Sequence, residues 1–389
     1  MSLLFKSSFN YLLGEMKYRL RICLFLLLMI PSCVKMGSVQ QDEIKLTYPL
    51  VSNTTKLYPG PITGMLYPDE ETLGIFSYHS EEPSGEWTGS SDDISAFIDG
   101  AEFKYKPEYA AWAGWGGSDY TPYFWPSRGS LIFAGYSPYR YVNRTPIPKV
   151  SFDVKNKELS IEGFQTETYI PMSKADIENP DVNYRNQTQS DLSYFLPDFG
   201  INGNYSGVNH LDKYRPVMNH ALSLVVFKVY AANESDIDYI DLNNITLHSV
   251  YHTGDFKVRM NGTSAGQTHW DLTDESPADM NVFDAGLDEG GKPDGLRLDT
   301  DPRTIAEILI IPGVTHDITI KYRLHVNGRI VTENKTISPT DIDTDPDPDV
   351  VDYLDEWEIG KRYVYNICLG VDFMSVVPSV SAWSENIIN

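Results

Sequence analysis

The chain has 389 residues, enough for two domains at about 150 residues per domain. Its 25 tyrosines, 16 phenylalanines and 7 tryptophans supply ample apolar surface for a core, which argues against a disordered chain. The net charge of −23 argues against a nucleic-acid-binding protein and against adhesion to anionic lipids, and three cysteines are too few for a disulfide framework.

The first 32 residues have the layout of a secretory signal peptide. A basic cluster (Lys17, Arg19, Arg21) precedes the apolar residues 22–31, and about ten apolar residues are too few to span a membrane. The exit Ile-Pro-Ser before Cys33 resembles the bacterial lipobox, although proline is unusual there. We therefore predict cleavage before Cys33 and lipid attachment to it. The alternative is an ordinary signal peptide with an incidental cysteine.

Met16 is the predicted true start of the protein. A start there gives a compact signal peptide with its positive charges at the head. Residues 33–43 are then a polar, lipidated tether. Acyl chains, not charge, would hold the acidic body at a membrane.

Short alternating segments typical of β-strands follow. Residues 44–50 alternate apolar and polar side chains, which predicts a strand with one buried face. That face is made of Ile44, Leu46, Tyr48 and Leu50. Further strand candidates are residues 73–78, 101–105, 130–136, 149–154 and 158–164. Residues 172–179 form a short helix between prolines, and residues 181–215 are predicted to be a loop or linker.

The second half continues the strand pattern. Its candidates are residues 217–230, 244–251, 254–260, 305–311, 316–326, 362–371 and 374–380. Asn327 and Gly328 are the favoured pair for a two-residue hairpin turn. Because long amphipathic helices are absent from the sequence, we predict an all-β fold of two tandem β-sandwich domains, residues 44–212 and 213–389.

Two motifs could carry chemistry. Residues 262–266 match G-x-S-x-G around Ser264, but no helical pattern follows as a nucleophile elbow requires, so a turn is preferred over a hydrolase site. The acidic run that contains Asp341, Asp343 and Asp345 resembles the start of a calcium loop. It lacks the Gly and Glu of that loop, so a solvated acidic loop is preferred here and at residues 284–301. We therefore expect no bound metal, no cofactor and no enzymatic activity.

An aromatic, Gly-rich stretch contains Trp112, Trp115 and Trp125. Exposed rings there could stack on sugars, and a surface glycan-binding lipoprotein is therefore the alternative function. Burial in a sandwich core is the preferred interpretation. Cys368 lies in a predicted strand and is expected to be a small buried hydrophobe.

Several segments, in order along the chain, resemble one known family. They are residues 123–126 (YFWP), 131–138 (LIFAGYSP), 219–223 (NHALS), 225–229, 357–367 (WEIGKRYVYNI) and 377–383. Together with the lipobox they are similar to the fimbrillins, the lipoprotein pilus subunits of Bacteroidota. The resemblance implies two transthyretin-like β-sandwiches, export to the outer membrane and a place in a surface fimbrium. It also implies other fimbrial subunits as partners and adhesion to a host or bacterial surface.

The resemblance implies assembly by strand exchange. A protease removes an N-terminal strand, here residues 44–50, and a strand of the neighbouring subunit fills the groove. Arginine-specific processing is typical of the family, but no arginine lies between Arg21 and Arg128. Cleavage would use Lys45, Lys56 or another protease. Without cleavage the chain fits an anchor or accessory subunit better than a stalk subunit.

Overall fold

The computed structural model describes residues 43–47, 49–51, 69–81, 94–127, 129–139, 148–179, 189–197, 205–206, 214–260, 268–273, 277–288, 290–292, 294–339, 342, 354–371 and 374–382. Within these ranges the chain forms 25 strands, the 3-10 turn Pro107–Tyr109 and the short helix α1, Lys174–Glu178. In chain order the strands are β1 (Lys45–Leu46), β2 (Leu50–Val51), β3 (Leu73–Ser80), β4 (Ser95–Lys106), β5 (Ala111–Gly116), β6 (Asp119–Tyr120), β7 (Ser130–Ser137), β8 (Lys149–Asp153), β9 (Glu158–Gln165), β10 (Ser193–Phe195), β11 (Tyr205–Ser206), β12 (Val217–His220), β13 (Ser223–Ala231), β14 (Ile237–Val250), β15 (Thr253–Arg259), β16 (Thr268–Leu272), β17 (Ala278–Asp284), β18 (Leu296–Arg297), β19 (Arg303–Ile310), β20 (Gly313–Val314), β21 (Ile318–Val326), β22 (Arg329–Ile337), β23 (Glu356–Trp357), β24 (Lys361–Leu369) and β25 (Met374–Ala382).

Ten strands form the N-terminal sheet. Its order is β1-β5-β4-β3-β7-β10-β12-β2, with β6 beside β5 and β11 beside β7. The central strands β3 and β7 are buried along almost their whole length, because each face of the sheet packs on a core of its own. This double burial explains why their sequences are nearly continuous apolar runs rather than alternating ones.

A second sheet, of order β16-β15-β9-β8, combines strands from both halves of the sequence. β9 and β15 are antiparallel neighbours, with Ile161 opposite Phe256. Phe164 and Phe256 pack against Trp270 at ring-centroid distances of 5.3 and 5.1 Å. The predicted boundary at residues 212/213 therefore does not coincide with the limits of the sheets. The alternating sequence pattern predicted these strands, but it did not predict which strands pair with each other.

The C-terminal sandwich consists of two facing sheets. One has the order β19-β13-β24-β25, and the other has the order β17-β14-β21-β22 with β18 beside β14. Fully buried rings of Phe227, Tyr322 and Tyr365 fill the core between them. Helix α1 joins this core through Ile177, and Ser173 begins the helix with a reciprocal capping box.

The predicted all-β fold is confirmed, and each predicted strand overlaps an observed one. The hairpin at Asn327 and Gly328 joins β21 to β22, and both residues have the positive φ (49° and 73°) that such a turn requires. The strands that were not predicted include β5, β6, β16, β17, β18, β20 and β23. The predicted linker 181–215 contributes β10 and β11 to the N-terminal sheet.

Candidate functional site

The first described segment, residues 43–51, is paired with strands on two sides. On one side the Ile44 amide donates to the Tyr123 carbonyl over 2.7 Å, and β1 runs antiparallel to β5. On the other side the Thr47 amide donates to the Tyr214 carbonyl over 2.8 Å, and β2 runs parallel to β12. The segment thus links β5 to β12, and its departure would leave backbone groups of both strands without partners.

The apolar side chains of this segment fill what we call the first-strand groove, the space between β5 and β12. Ile44 and Leu46 are both 0% exposed. Burying one such side chain contributes about 1.5–3 kcal/mol. The core that receives them includes Ile98, Phe103, Trp112, Phe133, Tyr214 and Met218. A strand in this groove therefore makes both ladder and core contacts.

Of the four predicted core-facing residues, Ile44 and Leu46 lie in the core. Tyr48 and the side chain of Leu50 lie outside the described residues. Pro49 is buried between β1 and β2, where the ladder changes from β5 to β12. A residue without an amide hydrogen suits that change, because it has no donor to lose.

A group of polar side chains, the Glu43 cluster, lies where the groove begins. It consists of Glu43, Lys45, Lys106, Tyr109 and Tyr120. The Tyr120 hydroxyl donates to the Glu43 carboxylate, and the Lys45 ammonium lies 3.3 Å from that carboxylate. The Lys106 ammonium lies 3.4 Å from the Tyr120 ring centroid, and Tyr109 hydrogen-bonds Tyr120. Burial, and then the Glu43 carboxylate, raise the pKa of Tyr120, so its phenol stays a donor.

Two glycines of β5 make room for this cluster. A Cβ on Gly114 would lie 2.4 Å from the Thr121 carbonyl oxygen, and one on Gly116 would lie 2.4 Å from the Thr121 hydroxyl. Residues 119–123 can therefore fold back along β5 and bring Tyr120 to the first segment. The sequence did not predict the pairing of Tyr120 with Glu43, because these residues are 77 positions apart and no local pattern joins them.

The predicted processing residues are placed differently. The Lys45 side chain is 23% exposed and lies over the Tyr109 ring at 3.8 Å, while its backbone is part of β1. A protease that needs an extended substrate cannot bind that backbone while β1 is paired. Lys56 lies outside the described residues.

Two of the three tryptophans predicted as glycan contacts are core residues. Trp112 is 0% exposed, and its indole donates to the Glu71 carbonyl over 2.8 Å. Trp125 is 3% exposed and packs edge-on against Phe133. Their rings cannot stack on a sugar in this fold, which rules out the glycan-contact alternative for these two residues and agrees with the preferred interpretation of core burial. Trp115 is half-buried beside Lys104.

Several predicted sites lie outside the described residues. They are Cys33, Ser264, Asp341, Asp343 and Asp345. The described part of the chain contains no group of three or more His, Cys, Asp or Glu side chains able to hold a metal. In the acidic stretch 284–301, Asp288 accepts from the amides of Gly290 and Lys292 at 2.9 and 2.8 Å, and so shapes a turn. None of the helices described is long and apolar enough to cross a membrane.

A buried Asp–His pair lies near the groove. His220 Nδ1 is 2.8 Å from the Asp191 carboxylate, and the two residues are 5% and 2% exposed. Ser193 is opposite His220 in the β10–β12 ladder and is 1% exposed. These three residue types recur in hydrolases, but such burial keeps a substrate away, so the pair is best understood as a polar tie between strands.

Comparison with known proteins identifies a family and several similar structures. The family model described as "Fimbrillin-like" matches residues 69–383, which begin after the first segment. Among curated proteins there is no match. A fimbrial protein from Bacteroides vulgatus has a similar structure, with a TM-score of 0.50 and 15% identity over 80% of this chain and 92% of that one. The C-terminally truncated tip fimbrial protein Mfa3 from Porphyromonas gingivalis aligns over 88% of this chain and 100% of its own, with a TM-score of 0.35 and 11% identity. The family match spans most of the sequence, and the chain belongs to the fimbrillin-like family.

Proposed function

We propose that this chain is a fimbrial subunit that joins its neighbours by exchange of the first strand and serves cell-surface adhesion. Family membership supports a structural, non-enzymatic role in a fimbrium at the cell surface. The observation that carries the exchange step is the double pairing of residues 43–51 with β5 and β12.

The physical driving force is strand addition. Once residues 43–51 leave, β5 and β12 carry free amide and carbonyl groups, and the apolar groove opens to water. A strand from another subunit restores both kinds of contact in the groove. Cleavage between the first segment and β3 detaches the resident strand from the body, so it no longer has the high effective concentration of a covalently linked strand. Lys56 lies in that interval.

The last strand is the donor that we propose. β25 lies at the end of its sheet and pairs with β24. Its core-facing residues include Met374 and Val376, which are only partly buried, and Val380 is 42% exposed. A strand held on one side by one ladder, with apolar residues at every second position, suits transfer into a groove that accepts that period.

The N-terminal features complete the proposal. Cleavage before Cys33 and lipid on that cysteine would deliver the subunit to the outer membrane. If the first strand is never cut, lipid and closed groove persist, and the chain acts as an anchor or accessory subunit. Mass spectrometry of the chain from a membrane fraction tests the lipid, and Cys33→Ser should leave the protein out of that fraction.

The exchange step is tested by cutting the intact chain. A specific protease site is inserted after Lys56 in the chain from Val34, and the protein is run unboiled in SDS before and after cutting. We expect a ladder of resistant multimers after cutting only. The matched control places cysteines at the paired positions Lys45 and Ala113, so that a disulfide retains β1. Multimers should then need reductant, and monomers throughout would refute exchange.

A further inference from the structure

The Glu43 cluster consists of two parts that would separate during exchange. Glu43 and Lys45 belong to the first segment, whereas Lys106, Tyr109 and Tyr120 belong to the body, on β4, the 3-10 turn and β6. The body part therefore stays at the end of the groove when the first segment leaves. It presents a phenol donor and an ammonium to any strand that follows.

We propose that Tyr120, supported by Lys106 and Tyr109, is a carboxylate-binding site that fixes the register of the strand in the first-strand groove. Glu43 occupies the site in the resident strand, and an acidic side chain at the corresponding position of a replacing chain would occupy it after exchange. The residues of β25 itself, Met374–Ala382, include no Asp or Glu. This inference rests on the proposed exchange for its second occupant, and on the described contacts alone for its first.

The chemistry of the site favours a carboxylate. A hydrogen bond to a charged acceptor is roughly twice as strong as a neutral one. The Glu43 side chain is only 12% exposed, and its carboxylate accepts from the Tyr120 hydroxyl and lies beside the Lys45 ammonium. The Lys106 ammonium lies over the Tyr120 ring and is 3.8 Å from the carboxylate of the mostly exposed Glu108. Lys106 therefore adds a positive charge beside Tyr120 and does not occupy the place of the Glu43 carboxylate.

The position of the site explains why it would set register. Glu43 directly precedes Ile44, whose amide bonds to Tyr123 and whose side chain enters the core. A slip of one residue would turn every apolar side chain of the strand out of the groove. A carboxylate held by Tyr120 opposes that slip at the first position.

The first test uses the uncut chain from Val34 and measures hydrogen exchange of the Ile44 and Thr47 amides. Glu43→Gln and Tyr120→Phe should each lower their protection about tenfold, the effect of losing one hydrogen bond to a charged group. The double variant should lose little more than either single one. The control is Tyr78→Phe, which removes a 2.8 Å bond to the Phe152 carbonyl away from the groove and should leave both amides unchanged. Unchanged protection in Tyr120→Phe, or additive losses, would overturn the inference.

The second test adds a labelled peptide of residues 43–51 (EIKLTYPLV) to the chain cut after Lys56. The peptide should displace the resident strand, and a version with Gln for Glu43 should bind about tenfold more weakly. In Tyr120→Phe protein the two peptides should bind alike. Equal binding to the unaltered protein contradicts the carboxylate site. If neither peptide enters while the protection losses stand, strand exchange fails and the site for Glu43 is retained.

Discussion

At the scale of single residues, the first-strand groove is filled by the side chains of Ile44 and Leu46. Leu46 is fully buried between the rings and aliphatic groups of the N-terminal core. We expect Leu46→Ala to lower the free energy of unfolding by about 2–5 kcal/mol, because it leaves a cavity as well as losing apolar contact. Denaturant unfolding measures the loss. Val217→Ala is the control, since Val217 is 49% exposed and its truncation should cost under about 0.5 kcal/mol.

Ionisation of tyrosine is a second prediction at this scale. Burial raises the pKa of Tyr194, Tyr322 and Tyr363 to about 12 in the folded chain, above the ordinary value of 10. Their contribution to stability is therefore complete below pH 10 and is lost as the pH rises toward 12. Unfolding free energies at pH 9 and 11 should show this fall, and phenolate absorbance should rise late in the folded protein. A flat profile would contradict it.

At the scale of elements, β5 makes a local prediction through Gly114. Gly114→Ala would push a Cβ to 2.4 Å from the Thr121 carbonyl, so we expect a loss of about 1–3 kcal/mol and weaker protection of the first segment. Ala110→Gly nearby is the contrasting variant. Ala110 has a φ of 46°, in the left-handed region, and glycine there should be neutral or stabilising by about 1 kcal/mol. Thermal unfolding of both variants distinguishes a steric effect at Gly114 from a general sensitivity of the chain around β5.

The sequence predicted those elements that are determined by neighbouring residues in the chain. The hairpin at Asn327 and Gly328 was predictable because the turn itself needs positive φ. The buried face of the first strand was predictable at Ile44 and Leu46 from its period of two. The same period could not tell that β9 pairs with β15, nor that Tyr120 contacts Glu43. Those outcomes depend on contacts between distant parts of the sequence.

At the scale of the whole molecule, the sheet β16-β15-β9-β8 joins the two halves of the sequence, because it contains strands from both. Residues 43–212 expressed alone would lack β12, which pairs with β2 and β10, and β15, which pairs with β9. We expect neither that fragment nor residues 213–389 to unfold cooperatively alone, and we expect co-expression to restore a folded complex. Circular dichroism melts test this, and a sharp melt of either isolated fragment would contradict it.

The succession of β12 and β13 has a mechanical consequence. The strand in the groove lies beside β12, and only Ala221 and Leu222 separate β12 from β13. β13 runs parallel to β24 over eight residue pairs, and the donated last strand follows β24 in the sequence. A pull between the groove strand and the last strand is therefore transmitted through two residues of backbone and the ladder between β13 and β24. Force directed along that ladder must break many hydrogen bonds at once, so a fibre built this way would resist stretching by its slow unfolding rate.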